Sequence, residues 1–171
     1  MQYYILNQDK DYTDNVEIVN WFGKLDVEKL EPEKYYQLDE SYVLEAKGNE
    51  LTDMIFTPFF AVSPMVRYCI KAYEPNMKFT AVTLWSKQKK EAYEYFIPHL
   101  DRLKILSSKS VLKYNNTLIE KAILDKNSSI HRYIFLLADL QKKHVVIKKE
   151  LAESVLKRNA RGISFLGIEE E

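Results

Sequence analysis

The chain has 171 residues, 46% hydrophobic and 13% aromatic, with only 4 Gly and 5 Pro. That composition excludes a disordered or low-complexity protein and suits one domain over residues 1–171, or two closely packed lobes. The 25 Lys+Arg balance 25 Asp+Glu, and the single cysteine, Cys69, excludes an internal disulfide and a cysteine metal cluster, so burial must stabilise the fold.

The N-terminus "MQYYILNQDKD" lacks a basic leader, and no apolar run has membrane-spanning length; the expected location is the cytoplasm, with no membrane partner. Zero net charge conceals a segregation. Residues 1–60 hold 13 Asp+Glu against 5 Lys+Arg, a net −8; residues 61–168 hold 9 against 20, a net +11; the terminal "EEE" adds −3. Such polarity either steers a charged partner or is neutralised where the two halves pack on each other.

In chain order, "QYYILN" (2–7) predicts a strand, and "VEIVNWF" (16–22) a second with Val16, Ile18 and Asn20 on one side. Residues 23–41, acidic and containing Pro32, predict an irregular excursion with short helical turns. "YVLEAK" (42–47) and "LTDMIF" (51–56) flank "GNE" and predict a β-hairpin. Ser63 as N-cap, Pro64 at the first helical position and a Val66, Cys69, Ile70, Tyr73 stripe predict a helix that Pro75 stops. "KFTAVTLW" (78–85) and "EAYEYFIP" (91–98) predict an antiparallel hairpin.

Strands are predicted at 118–124 and 131–138, with "DKNSS" as the turn between them. "HVVI" leads into an amphipathic helix with Leu151, Ala152, Val155 and Leu156 on its stripe, and "GISFLGI" returns as a strand. The final "EEE" is expected to be disordered. The two helices echo each other, Val66 matching Leu151 and Ile70 matching Val155, each leading into a strand. The predicted class is therefore α+β, with mixed or antiparallel sheets and a few amphipathic helices, possibly as two similar packed lobes.

No residue pattern here points to catalysis. Cys69 falls on the buried stripe, and His99, His131 and His144 lack metal-ligand spacing. The acid pairs Glu31/Glu33 and Asp39/Glu40 read as a solvated face, and there is no Gly-rich phosphate loop. The expectation is a protein without catalytic residues, metal or cofactor. Residues 87–161 carry "KQKK", "KSVLK", "QKKH" and "KRNAR" with tyrosines interleaved, which keeps open a nucleic-acid-associated or regulatory binding module built on the basic half. Nine acids in that half and the lack of a nucleic-acid-binding motif make nucleic acid the less expected partner.

The C-terminal run "IHRYIFLL" then "HVVIKKELAESVLKRNARGISFLGI" resembles the ending of bacterial polymorphic-toxin immunity proteins of the immunity protein 11 and immunity protein 43 groups. "FFAVSPMVRYCI" and "FTAVTL" are similar to the middle of such proteins, and "YYIL" and "GNELTDMIF" match more loosely. The resemblance implies a binder that neutralises a cognate protein toxin by occlusion and carries no catalytic residues to transfer. In the acidic first third, the expected partner-binding residues are Glu31, Glu33, Tyr35, Tyr36, Asp39 and Glu40, acids for steering and tyrosines for anchoring.

Overall fold

The computed structural model describes residues 2–171. Its elements are β1 (Tyr3–Gln8), β2 (Glu17–Val19), 3-10 turns at Val27–Lys29 and Pro32–Gln37, β3 (Ser41–Lys47), β4 (Met54–Ile55), β5 (Ala61–Val62), α1 (Pro64–Tyr73), β6 (Phe79–Ser86) and β7 (Glu91–Pro98). There follow β8 (Arg102–Leu103), β9 (Val111–Lys113), β10 (Leu118–Lys121), β11 (Ile123–Leu124), β12 (Ile134–Leu137), β13 (Val145–Lys148), α2 (Lys149–Leu156), β14 (Ile163–Gly167) and β15 (Glu169–Glu170). The class is α+β.

Strands β2-β3-β6-β7-β5-β4 form one sheet and β14-β1-β13-β12-β8 another, while β9-β10 and β11-β15 form two small ribbons. Side-chain alternation decides what lies on each face, because successive residues of a strand point to opposite sides. Ile134, Leu136, Val145 and Ile147 face the helices, whereas Phe135, Leu137 and Val146 face away. Likewise Val62 and Phe96 face the helices, and Ala61, Tyr95, Ile97, Val82 and Leu84 face away. The helices lie between the two sheets, and the outer faces are covered by residues 21–38 on one side and by residues 103–124 with Ile168 on the other.

Both helices form where periodicity places them, and α1 is capped as well. The Ser63 hydroxyl accepts from the Val66 N–H at 3.4 Å, and Pro64 needs no partner for a missing N–H. Val66, Cys69 and Ile70 of α1 meet Leu151, Ala152 and Val155 of α2 in the central core. Each aliphatic side chain buried there contributes about 1.5–3 kcal/mol. Cys69, 1% exposed, lies 4.0 Å from the Ser154 carbonyl oxygen across the helix pair.

The two sheets share a topology. The run β4-β5-β7-β6 is antiparallel throughout, with α1 carrying the chain from β5 across β7 to β6. The run β12-β13-β1-β14 is also antiparallel throughout, with α2 carrying the chain from β13 across β1 to β14. In the second unit the place of β7 is taken by the chain's first strand, so the two are circular permutations of one arrangement. The helix echo in the sequence corresponds to this equivalence.

Several elements differ from the sequence expectation. Residues 42–47 and 51–56 do not form a hairpin: β3 lies between β2 and β6, and β4 pairs with β5 at the far edge of the sheet. The "GNE" segment turns back on residues 14–16 instead, the Glu50 N–H donating to the Asp14 carbonyl at 2.9 Å and the Val16 N–H to the Glu50 carbonyl at 3.0 Å. Gly48, at φ +104°, makes this possible, since a Cβ there would come 2.9 Å from the Asn15 carbonyl carbon. The strands at 118–121 and 134–137 do not pair with each other either, β10 joining β9 and β12 joining β13 and β8. The terminal glutamates are ordered: β15 pairs with β11, Lys121 bonds Glu169 at 2.9 Å and Lys109 bonds Glu171 at 2.6 Å.

Candidate functional site

The acidic excursion is held to the rest of the molecule through two of its six singled-out residues. Glu31, half-buried, pairs with Arg102 and with Lys143 at 3.0 Å, and the Lys143 ammonium also donates to the Leu30 carbonyl at 2.7 Å. Tyr35 stacks on His99 with ring centroids 4.4 Å apart, its hydroxyl is bonded to Leu100, and burial pushes its pKa up to about 12. His99 shares a 2.8 Å hydrogen bond with Thr80.

The other four residues face solvent. Glu33, Asp39 and Glu40 are exposed, and the Tyr36 ring is 82% exposed. The backbone carrying them is fixed: the Asp39 N–H donates to the Tyr42 hydroxyl at 3.0 Å and the Ala81 N–H to the Glu40 carbonyl at 3.1 Å. Thus Glu31 and Tyr35 act as tethers inside the molecule, and Tyr36 with Glu33, Asp39 and Glu40 makes the accessible surface.

Beside the tethers opens a cleft of about 570 Å³, with walls from both sheets and from the excursion. Phe56, Pro58, Phe59, Phe60, Leu6 and Val145 are among its apolar walls, with Glu28, Glu31, Lys142 and Lys143 among its polar ones. A second cleft of about 360 Å³ shares Gln8, Phe56, Thr57 and Pro58 with the first and adds Asn15, Glu17 and Trp21. Sequence reasoning passed over this groove. Its available signal was "TPFF", two adjacent aromatics after a proline outside any predicted strand or helix, which must find a surface to pack on.

The basic half is extensively matched by acids. Lys113 bonds Glu120 at 2.5 Å, Arg132 bonds Asp101 at 2.6 Å and Glu74 at 3.1 Å, and Lys87 bonds Glu45 at 2.9 Å. With Glu31 on Arg102 and Lys143, the charge segregation is partly neutralised by packing between the halves. Among the described residues no group of three or more His, Cys, Asp or Glu side chains converges as a metal site. No helix among them is long and apolar enough to cross a membrane. The chain matches no protein-family model and no curated protein.

Proposed function

We propose that this protein binds a cognate bacterial toxin and neutralises it by occlusion. The observation that carries this reading is the Tyr36 ring, 82% exposed, on a backbone pinned by Tyr35 and flanked by the exposed acids Glu33, Asp39 and Glu40. A tyrosine held out on a rigid support offers large contact area at low entropic cost, and neighbouring acids favour encounter with a basic partner. The resemblance of the C-terminal third to toxin-immunity proteins supports the same function. A nucleic-acid module on the basic half is less favoured, because many of its lysines and arginines are already ion-paired.

The test is to co-express the chain with the toxic domain of a candidate partner, identified by capture with the tagged protein from its native cells. Rescue of growth and a nanomolar complex, about −12 kcal/mol, are expected, since incomplete neutralisation leaves an active toxin. Tyr36→Ala should weaken that complex by about 2 kcal/mol. If nucleic acid is recovered in a salt-sensitive manner, without rescue by the chain, the basic half is the working surface and toxin neutralisation is wrong.

A further inference from the structure

We infer that the helix-side face of β3 and β6 joins two copies of this chain in a weak symmetric dimer, each Arg67 bonding Glu94 of the other copy around an apolar centre of Val43 and Trp85. The inference stands apart from the function proposed above, and its test needs no toxin.

The register of the strands fixes where these residues stand. Phe96, Ala81 and Ser41 form one row across β7, β6 and β3; Glu94, Thr83 and Val43 form the next; Ala92, Trp85 and Glu45 form a third. All lie opposite the buried Leu44, Val82, Leu84 and Tyr95, because side chains alternate along each strand. Helix α1 covers one end of this face, where Phe79 and Phe96 pack against the core of Val66 and Ile70. Beyond it Val43 is 65% exposed although β3 has a neighbour on each edge, and Trp85 is 38% exposed. The bare face is about 25 Å long and, with β2 beside β3, three strands or about 14 Å wide. That is small for a specific interface, so the association is micromolar rather than nanomolar.

The charges of the face decide its occupant. Glu45 is paired with Lys87 at 2.9 Å and Glu17 with Lys47 at 3.2 Å, so these cancel within one copy. Two opposite charges are left over. The Arg67 guanidinium lies over the rings of Phe96 and Phe79, 4.6 and 5.4 Å from their centroids, and its side chain makes no hydrogen bond or ion pair among the described residues. The Glu94 carboxylate, exposed, is equally without a partner there. Phe79 stands opposite Pro98, which draws the guanidinium toward that end of β7 and away from Glu94. A two-fold axis sets one patch on its own copy, so an unpaired cation and an unpaired anion on that patch meet twice. A wholly acidic or wholly basic partner would satisfy one of them and repel the other.

The experiment is sedimentation velocity on the full chain from about 5 to 500 µM, a range that brackets micromolar association. The expected result is a concentration-dependent rise toward twice the monomer mass. Glu94→Arg and Arg67→Glu each bring like charges together twice per dimer and should weaken association at least tenfold, whereas the two combined should return it to within about threefold of the parent. Val43→Glu, at an exposed position, should weaken it as much while the melting temperature is kept. Should Arg67→Glu fail to fold, Glu94→Arg and Val43→Glu decide alone, since both sites are exposed. A chain that stays monomeric throughout, a dimer indifferent to Glu94→Arg and Val43→Glu, or a folded double charge swap no tighter than its single variants overturns the inference.

Discussion

The phenolic oxygen of Tyr35 serves both backbone polar groups of Leu100, donating to its carbonyl at 3.0 Å and accepting from its N–H at 3.1 Å. One side chain thereby ties the acidic excursion to the start of the second sheet unit. Tyr35→Phe leaves both Leu100 groups without that partner while keeping the ring on His99. The expected loss is about 1–3 kcal/mol in urea denaturation, with faster proteolysis within residues 27–40. Unchanged stability and protease resistance would show that the Tyr35 hydroxyl does not hold the excursion.

Charge reversal tests the accessible part of the surface. Asp39→Lys with Glu40→Lys changes two exposed acids and should slow association with a basic partner roughly tenfold at low salt, with little change in dissociation. Stopped-flow association across ionic strength gives the answer. Identical rates and an identical salt slope would place the contact surface elsewhere.

Gly162 sits at φ +80°, and a Cβ there would lie 2.6 Å from the Cβ of Thr52. Gly162→Ala combines a left-handed backbone penalty with overlap against a buried side chain, about 2–4 kcal/mol together. Thr52→Ser removes the methyl that meets the new Cβ most closely and keeps a hydroxyl for the Met54 carbonyl. In the double variant part of the loss should return. Strict additivity of the two changes would show that the Thr52 methyl adds nothing to the cost.

Stability should fall on acidification through the histidine range. Burial is the main cause that holds His99 and His144 below the ordinary imidazole pKa; Lys78 and Lys142 push the same way, and the His144 bond to the Thr117 carbonyl opposes. The unfolded chain takes up these protons near pH 6.5 and the folded chain only at lower pH. Between those points the unfolded state binds more protons, so stability present above about pH 6.5 is lost as pH falls through the folded values. Melting temperatures measured from pH 7.5 to 5.0 should decline, and the slope should flatten in His99→Asn, His144→Asn. A double variant as pH-sensitive as the parent would assign the effect to carboxylates.

The helices were legible because each is specified locally: Ser63-Pro64 caps α1, and the stripes Val66/Cys69/Ile70 and Leu151/Ala152/Val155 have helical spacing. The β6-β7 hairpin was legible for the same reason, both strands alternating across a short polar turn. Pairing over long separations was not. Nothing local in "YVLEAK" states that its neighbours are β2 and β6, and the turn-forming Gly48 was consumed by a contact with Asn15. Of the six surface residues, composition could mark acids and tyrosines but could not sort tethers from exposed groups. Glu31 and Tyr35 turn inward because Arg102, Lys143 and Leu100, distant in the chain, wait for them.

The permuted second unit has a temporal meaning. Residues 17–98 supply every strand of the six-stranded sheet, so that sheet has all its parts before β12, β13 and β14 are made. Strand β1 is made before the other strands of its sheet and has neither neighbour until β13 and β14 emerge, an interval on the order of ten seconds at usual elongation rates. Through that wait Tyr3, Ile5 and Leu6, all buried in the finished protein, stand uncovered on the nascent chain. Closing this strand is a long-range step of the kind that slows folding, so β1 is among the last elements to settle and is where a nascent-chain chaperone would hold on longest.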